Sequence, residues 1–191
     1  MSTALTQMTV DEFLLWAEGK EGRWELHYGV PVMISDLPVA MSPERLAHTR
    51  AKGTAFIALV DALKNTGLRC EAFTDGVAVK VDARTTFEPD ASVACGPRRP
   101  EDTIVVSDPI VVVEVLSPNT AGIDHGRKLS GYFSLPSVQH YLILDPDRRV
   151  VIHHKRGRDA IETRVLNDGV VKLNPPGFDV AVAALFPATS S

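Results

Sequence analysis

The stretch Ile110-Val111-Val112-Val113-Glu114-Val115-Leu116 decides how the rest of the chain is read. Five of its seven residues are β-branched, and apolar side chains occupy both alternating faces. A strand patterned this way lies in the middle of a sheet and is covered on both sides. A second buried strand, His140 to Leu144, follows a segment in which Asp124 can cap a short helix. That helix carries Lys128, Leu129, Tyr132 and Phe133 and ends before Pro136. Strand, helix, strand in this order implies one parallel crossover. The turn Asp145-Pro146-Asp147-Arg148 and the strand Val150 to His154 then add an antiparallel neighbour.

Towards the N-terminus, Thr9 caps a short helix with Glu12 reaching back, and Val10, Phe13, Leu14 and Ala17 form its apolar face. Arg23 to His27 and Val30 to Ile34 flank Tyr28-Gly29 as a hairpin, whose second strand is placed at an edge by Pro31. Ser42-Pro43 starts the longest helix, where Leu46, Gly53, Phe56, Leu59, Val60 and Leu63 recur at helical spacing up to Gly67. Val77, Val79 and Val81 alternate with polar or small residues, and a further strand surrounds Asp90 to Cys95. Near the C-terminus, Glu162 to Leu166 and Val170 to Leu173 read as a hairpin around Asn167-Asp168-Gly169. No repeat or linker divides the chain. The expectation is one domain over residues 1–191, α/β (α+β) in class, with a central mixed sheet, flanking helices and extra hairpins.

At 191 residues with 45% hydrophobic and 23% charged content, the chain can bury a sizeable core without disulfides, which excludes intrinsic disorder. Its 20 Lys and Arg against 24 Asp and Glu give a net charge of -4, not the footprint of a protein that coats nucleic acid. Cys70 and Cys95 show no metal-ligand spacing and read as reduced, buried thiols. The N-terminus is not patterned as a signal segment, and runs such as Val180 to Phe186 are far shorter than the roughly 18 residues of a membrane span. A cytoplasmic location is therefore expected.

The informative residue is Glu114. An ionised carboxylate in a buried strand costs several kcal/mol unless a partner or metal compensates it. A salt bridge to a neighbouring Arg or a place at the strand end satisfies that need as well as a functional site does. Glu88-Pro89-Asp90 stands at the entry of another apolar strand. If the two strands pair, Asp90 and Glu114 point at one spot, where a hard divalent cation relieves their repulsion. Taken alone, Pro89-Asp90 is equally turn chemistry.

An ordered series of motifs extends along most of the chain: Trp24-Glu25-Leu26, Met41-Ser42-Pro43 with His48, Glu88-Pro89-Asp90, Val113-Glu114-Val115-Leu116-Ser117-Pro118, Asp124 with Lys128 and Tyr132, and Tyr141 with Asp145-Pro146. This series resembles the PD-(D/E)XK nuclease superfamily, and within it the Uma-type group described as putative restriction endonucleases. The resemblance implies a restriction-endonuclease-like core. It implies that Asp90 and Glu114 hold Mg²⁺ or Mn²⁺ with the backbone carbonyl of Val115, and that Glu25 orients the catalytic lysine or shares a second metal. The superfamily's usual lysine position, two residues after the second acid, is Leu116 here. The Uma-type group resembles a variant in which that lysine has moved to the following helix, where Lys128 matches. Without the resemblance, Lys128 reads as an ion pair with Asp124 and Glu25 as a surface partner of Arg23. His48 and Tyr132 are possible substrate contacts, with internal hydrogen bonding and packing as their respective alternatives. The basic run His153 to Arg158 reads as a solvated turn.

Three functions follow as expectations. The first is a metal-dependent endonuclease that hydrolyses phosphodiester bonds, foremost in DNA, through Asp90, Glu114, Lys128 and Glu25. The second is a weak or inactive nuclease-fold module that binds DNA or a protein. The third is a structural homodimer made by pairing exposed strands, with its acids merely ion-paired. A homodimer is expected for the enzyme as well.

Overall fold

Thr9 caps α1 (Val10–Ala17), its hydroxyl accepting from the Glu12 amide while the Glu12 carboxylate returns to the Thr9 amide. This is a computed structural model; it describes residues 7–35, 46–64, 66–116 and 124–188, apart from the side chains of Ser35, Asp124 and His125. The expected helix start at Ser42-Pro43 and the cap by Asp124 lie outside the described residues.

After α1 come β1 (Arg23–His27) and β2 (Val30–Ser35), the hairpin expected around Tyr28-Gly29. The long helix α2 (Leu46–Lys64) is followed by β3 (Cys70–Thr74), β4 (Ala78–Asp82), β5 (Thr85–Phe87), β6 (Ala91–Cys95) and β7 (Val105–Val106). The quoted stretch forms β8 (Pro109–Val115), and α3 (Asp124–Ser134) carries the chain to β9 (His140–Asp145). Then come β10 (Val150–Arg156), β11 (Ile161–Leu166), β12 (Val170–Leu173), β13 (Phe178–Ala181) and a 3-10 turn, Val182–Leu185.

β8 sits inside a six-stranded sheet ordered β11-β10-β9-β8-β6-β3. Its pairing with β9 across α3 is parallel and that with β6 is antiparallel, as the order of elements implies. A second sheet is ordered β2-β1-β5-β4-β7, with β2 and its Pro31 at the edge. Period two divides β8 between two cores. Val111, Val113 and Val115 face Ala51, Ala55 and Leu59 of α2, whose small residues allow close approach. Val112 faces Tyr132, Tyr141 and Phe87 beneath α3. Glu114 therefore emerges on the α3 side, at the C-terminal end of the central strand.

Three expectations are corrected. β11 and β12 do not pair with each other: β11 pairs with β10, and β12 pairs with β13. The turn residues Asn167-Asp168-Gly169 are local, whereas Val171 and Leu173 of β12 gain burial in the α2 core. Cys70 and Cys95 are half-buried and joined in a disulfide, because the antiparallel register of β3 and β6 sets them opposite each other. The run His153 to Arg158 is largely β10 rather than a solvated turn. Arg156 donates to the carbonyls of Phe133, Leu135 and Val138 and so anchors the end of α3. Among the described residues, no helix is long and apolar enough to cross a membrane.

His153 is buried beside His140. His140 Nε2 donates to the Pro175 carbonyl at 2.8 Å, so its Nδ1 accepts, at 2.9 Å, the proton on His153 Nε2. Burial depresses both imidazoles to about 4, with Lys155 acting on both and Arg164 and His154 also on His153. Below their ordinary value of 6.5 the unfolded chain takes up protons that the folded one refuses. The stability this pair contributes above pH 6.5 is therefore expected to drain away as pH falls towards about 4. Thermal melts across that window check it, since the double variant His140→Gln, His153→Gln should show a shallower slope; an unchanged slope would count against the pair.

Candidate active site

The register Ala91↔Val113 between β6 and β8, carried one residue further, sets Asp90 beside Glu114. Asp90 Oδ2 accepts the amide of Val115 at 2.7 Å, which fixes this carboxylate to the end of β8. On the α3 side, Tyr132 Oη and Lys128 Nζ both donate to Glu114 Oε1, at 2.8 and 3.0 Å. Lys128 and Tyr132 are four apart and so share one helix face. Lys128 Nζ also lies 3.1 Å from Glu25 Oε1.

Glu25 is 1% exposed on β1, and both of its oxygens are engaged. Oε1 accepts the Glu88 amide at 2.9 Å and Oε2 accepts from His27 Nε2 at 2.7 Å. The Arg127 guanidinium can only donate, so His27 Nδ1, 2.7 Å away, must be the acceptor; this fixes the tautomer whose Nε2 proton reaches Glu25. A continuous chain runs Arg127, His27, Glu25, Lys128, Glu114, and it ties β1, α3 and β8 to one point.

From the opposite side, α2 contributes two residues. Lys52, 6% exposed, sets its ammonium 2.8 Å from Asp90 Oδ1 and 3.5 Å from Asp75 Oδ2. His48 Nε2 donates to the Val115 carbonyl at 2.9 Å. They stand one turn apart.

The charges decide the protonation states. Burial is the main force that raises Glu114 to about 7; the nearby Asp90 and Glu25 carboxylates raise it further and Lys128 opposes them. For Glu25 burial also acts upward, but the hydrogen bond from His27, the Lys128 charge and the Glu88 amide together hold it below the usual carboxylate value. Burial and the Glu114 charge keep the Tyr132 hydroxyl protonated, hence a donor.

The structure thus brings together Asp90, Glu114, Lys128, Glu25 and the Val115 carbonyl. Lys128 is engaged by Glu114 and Glu25, while the Asp124 side chain lies outside the described residues. Glu25 is not a surface partner of Arg23, which pairs instead with Glu88 at 2.5 Å and Asp75 at 3.9 Å. Tyr132 is completely buried and serves Glu114 from below. Neither spacing nor motif singles out Lys52, His27 or Arg127 in the sequence. The only available hint was Lys52 itself, four residues after His48 on the helix and facing the sheet.

Phe87 forms the floor, with Lys128 Nζ 5.9 Å from its ring centre and Tyr132 edge-on to it at 5.3 Å. Gly131 of α3 presses on the same ring: a Cβ there would meet Phe87 Cε2 at 2.5 Å. Gly131→Ala is expected to cost about 1–3 kcal/mol, more than the helix propensity gained, by forcing α3 and its Lys128 off the floor. Urea unfolding measures this.

The donor set suits a hard divalent cation. It offers two carboxylates and a carbonyl whose second lone pair remains beside the His48 bond, all oxygen, with room in the coordination shell for water. Among the described residues no group of three or more His, Cys, Asp or Glu side chains is poised around one point, so protein carboxylates alone would not complete that shell. Two ammonium groups, from Lys52 and Lys128, now sit against the acids and supply the positive charge the site requires.

A known crystal structure, described as a putative nuclease belonging to DUF820 from Anabaena variabilis, superposes with a TM-score of 0.69 at 19% identity, covering 93% of this chain and 97% of that one. Such a likeness shows the fold. Two uncharacterized proteins of Synechocystis align more locally. One is 40% identical over 68 residues, 35% of this chain and 36% of that protein. The other is 30% identical over 80 residues, 41% of this chain and 45% of that protein. The chain therefore spans less than half the length of these relatives. Residues 10–184, which hold every side chain of the site, match the Uma2 family, described as "Putative restriction endonuclease", and the chain belongs to that family.

Proposed function

We propose that the protein is a metal-dependent endonuclease that hydrolyses phosphodiester bonds in DNA, working as a homodimer. The observation that carries this reading is the meeting of Asp90, Glu114 and Lys128 at the ends of two buried strands, each fixed by a separate contact. The family's description favours DNA as substrate.

Asp90, Glu114 and the Val115 carbonyl would hold Mg²⁺ or Mn²⁺, which when bound polarises the phosphate and lowers the pKa of a coordinated water. The chain's own residues then act in defined places. Lys128 presents an ammonium to the attacking water and to the charge that develops on the phosphate. Glu25, held by His27 and the Glu88 amide, keeps Lys128 at the acids. His48 orients the Val115 carbonyl, and Tyr132 fixes the Glu114 oxygen that faces α3. The Phe87 floor limits water below the site.

The test is nicking of supercoiled plasmid with Mg²⁺ or Mn²⁺ by the wild type and by Asp90→Ala. Relaxed circles are expected with the wild type and none with the variant. Undiminished cleavage by Asp90→Ala would overturn the site assignment. Metal binding without cleavage would instead favour the non-catalytic binding module suggested by Leu116 at the usual lysine position.

A further inference from the structure

β11 is an edge strand of the six-stranded sheet, regular in its pairing with β10, without proline or bulge. Its first five residues are exposed, including Ile161 at 40% and Val165 at 69%. Such an edge is usually blunted by a proline, a bulge or a covering element, and the charges that β11 does carry, Glu162 and Arg164, are of opposite sign. β2, by contrast, carries Pro31, and Arg99 lies over Phe73 on β3.

The sequence Ile161-Glu162-Thr163-Arg164-Val165 is complementary to itself when reversed. In an antiparallel pair, facing residues share the same hydrogen-bonding sense, so a two-fold axis between identical strands must pass through a residue paired with its own copy. With Thr163 on the axis, Glu162 faces Arg164 twice and Ile161 faces Val165 twice. The neighbouring registers fail. An axis at Glu162 or Arg164 sets that residue against itself, and one at Ile161 or Val165 leaves no more than three residues of the strand paired.

We infer that β11 is the homodimer interface, pairing antiparallel with β11 of a second copy about a two-fold axis at Thr163. This rests on the homodimer of the reading above and specifies where it forms. Opposite-charge and β-branched cross-strand pairs are the ones that stabilise an antiparallel ladder. A strand-edge contact is smaller than the roughly 1,600 Å² of a standard interface, so the dimer is expected to dissociate in the micromolar range. The pairing joins two sheets into one and separates the two β8 strands by about seven strand spacings, or roughly 34 Å. Each protomer keeps a whole site, and cleavage per chain does not depend on the dimer.

Sedimentation equilibrium over a range of protein concentrations tests this. The wild type is expected to dimerise, Arg164→Glu to weaken association at least tenfold by setting like charges opposite, and the double variant Glu162→Arg, Arg164→Glu to restore it. Plasmid nicking per chain should be the same in all three. A dimer indifferent to Arg164→Glu, or a double variant as monomeric as the single one, would overturn the β11 interface while leaving the homodimer standing. A wild type monomeric at every concentration would overturn both.

Discussion

At pH 8, above the value of about 7 to which burial raises Glu114, Lys128→Met is expected to lower folding stability by about 3–5 kcal/mol, the cost of removing one partner from a buried ionic group. Lys128 lies 3.0 Å from Glu114 and 3.1 Å from Glu25 and so bridges the two acids. Methionine fills much of the same space over Phe87, so the effect isolates charge from packing. On the proposed function, phosphodiester cleavage should fall by at least about 10²-fold, because the variant would lose a preorganised cation aimed at developing charge. The two effects are separable. A divalent ion bound at Glu114 would supply positive charge in place of the ammonium, so on the proposed function Mn²⁺ should stabilise the variant more than the wild type. Urea unfolding with and without Mn²⁺ reads this. A variant as stable as the wild type would show that the acids are not charged together in the fold, and the account of the site would fail with it.

The parts of this arrangement that could be read in the sequence are those fixed by local pattern. β8 was legible because its apolar run leaves one residue, Glu114, in need of explanation, and strand, helix, strand forces a parallel neighbour. Thr9 with Glu12 and Pro31 at an edge are equally local. Family resemblance supplied what pattern could not, by linking Lys128 and Glu25 to the acids across 14 and 89 residues of sequence. What stayed hidden depends on tertiary register. β11 takes β10 as partner because β12 is drawn to α2, and Cys70 meets Cys95 only because β3 and β6 pair as they do. Arg156 looked like a surface charge; it is an anchor for α3 because three carbonyls happen to converge on it. Lys52 was invisible for the same reason. A lysine on an apolar helix face reads as an exception until the strand end beneath it proves to carry Asp90.

Lys52→Met is expected to tighten divalent-metal binding, against the intuition that a buried ion pair supports its site. The Lys52 ammonium is 2.8 Å from Asp90 Oδ1, on the carboxylate whose other oxygen is already bound to the Val115 amide. An incoming cation must displace that ammonium or share Asp90 with it. A charge-assisted hydrogen bond of this kind is worth about 1.5–3 kcal/mol, so removing the competitor should strengthen Mn²⁺ binding about 10- to 100-fold. Asp75, 3.5 Å from the same ammonium and more open to water, offers Lys52 a place to go. Asp75→Asn should therefore have the opposite sign: it leaves Lys52 on Asp90 and weakens metal binding. Calorimetric titration of Mn²⁺ into the two variants gives a pair of shifts on either side of the wild type. If both variants weaken binding, Lys52 and Asp75 support the site as scaffold and the ammonium is no competitor. If the shifts fall on opposite sides, affinity at Asp90 is set by a tethered cation on α2, a control that neither strand of the site reveals by itself.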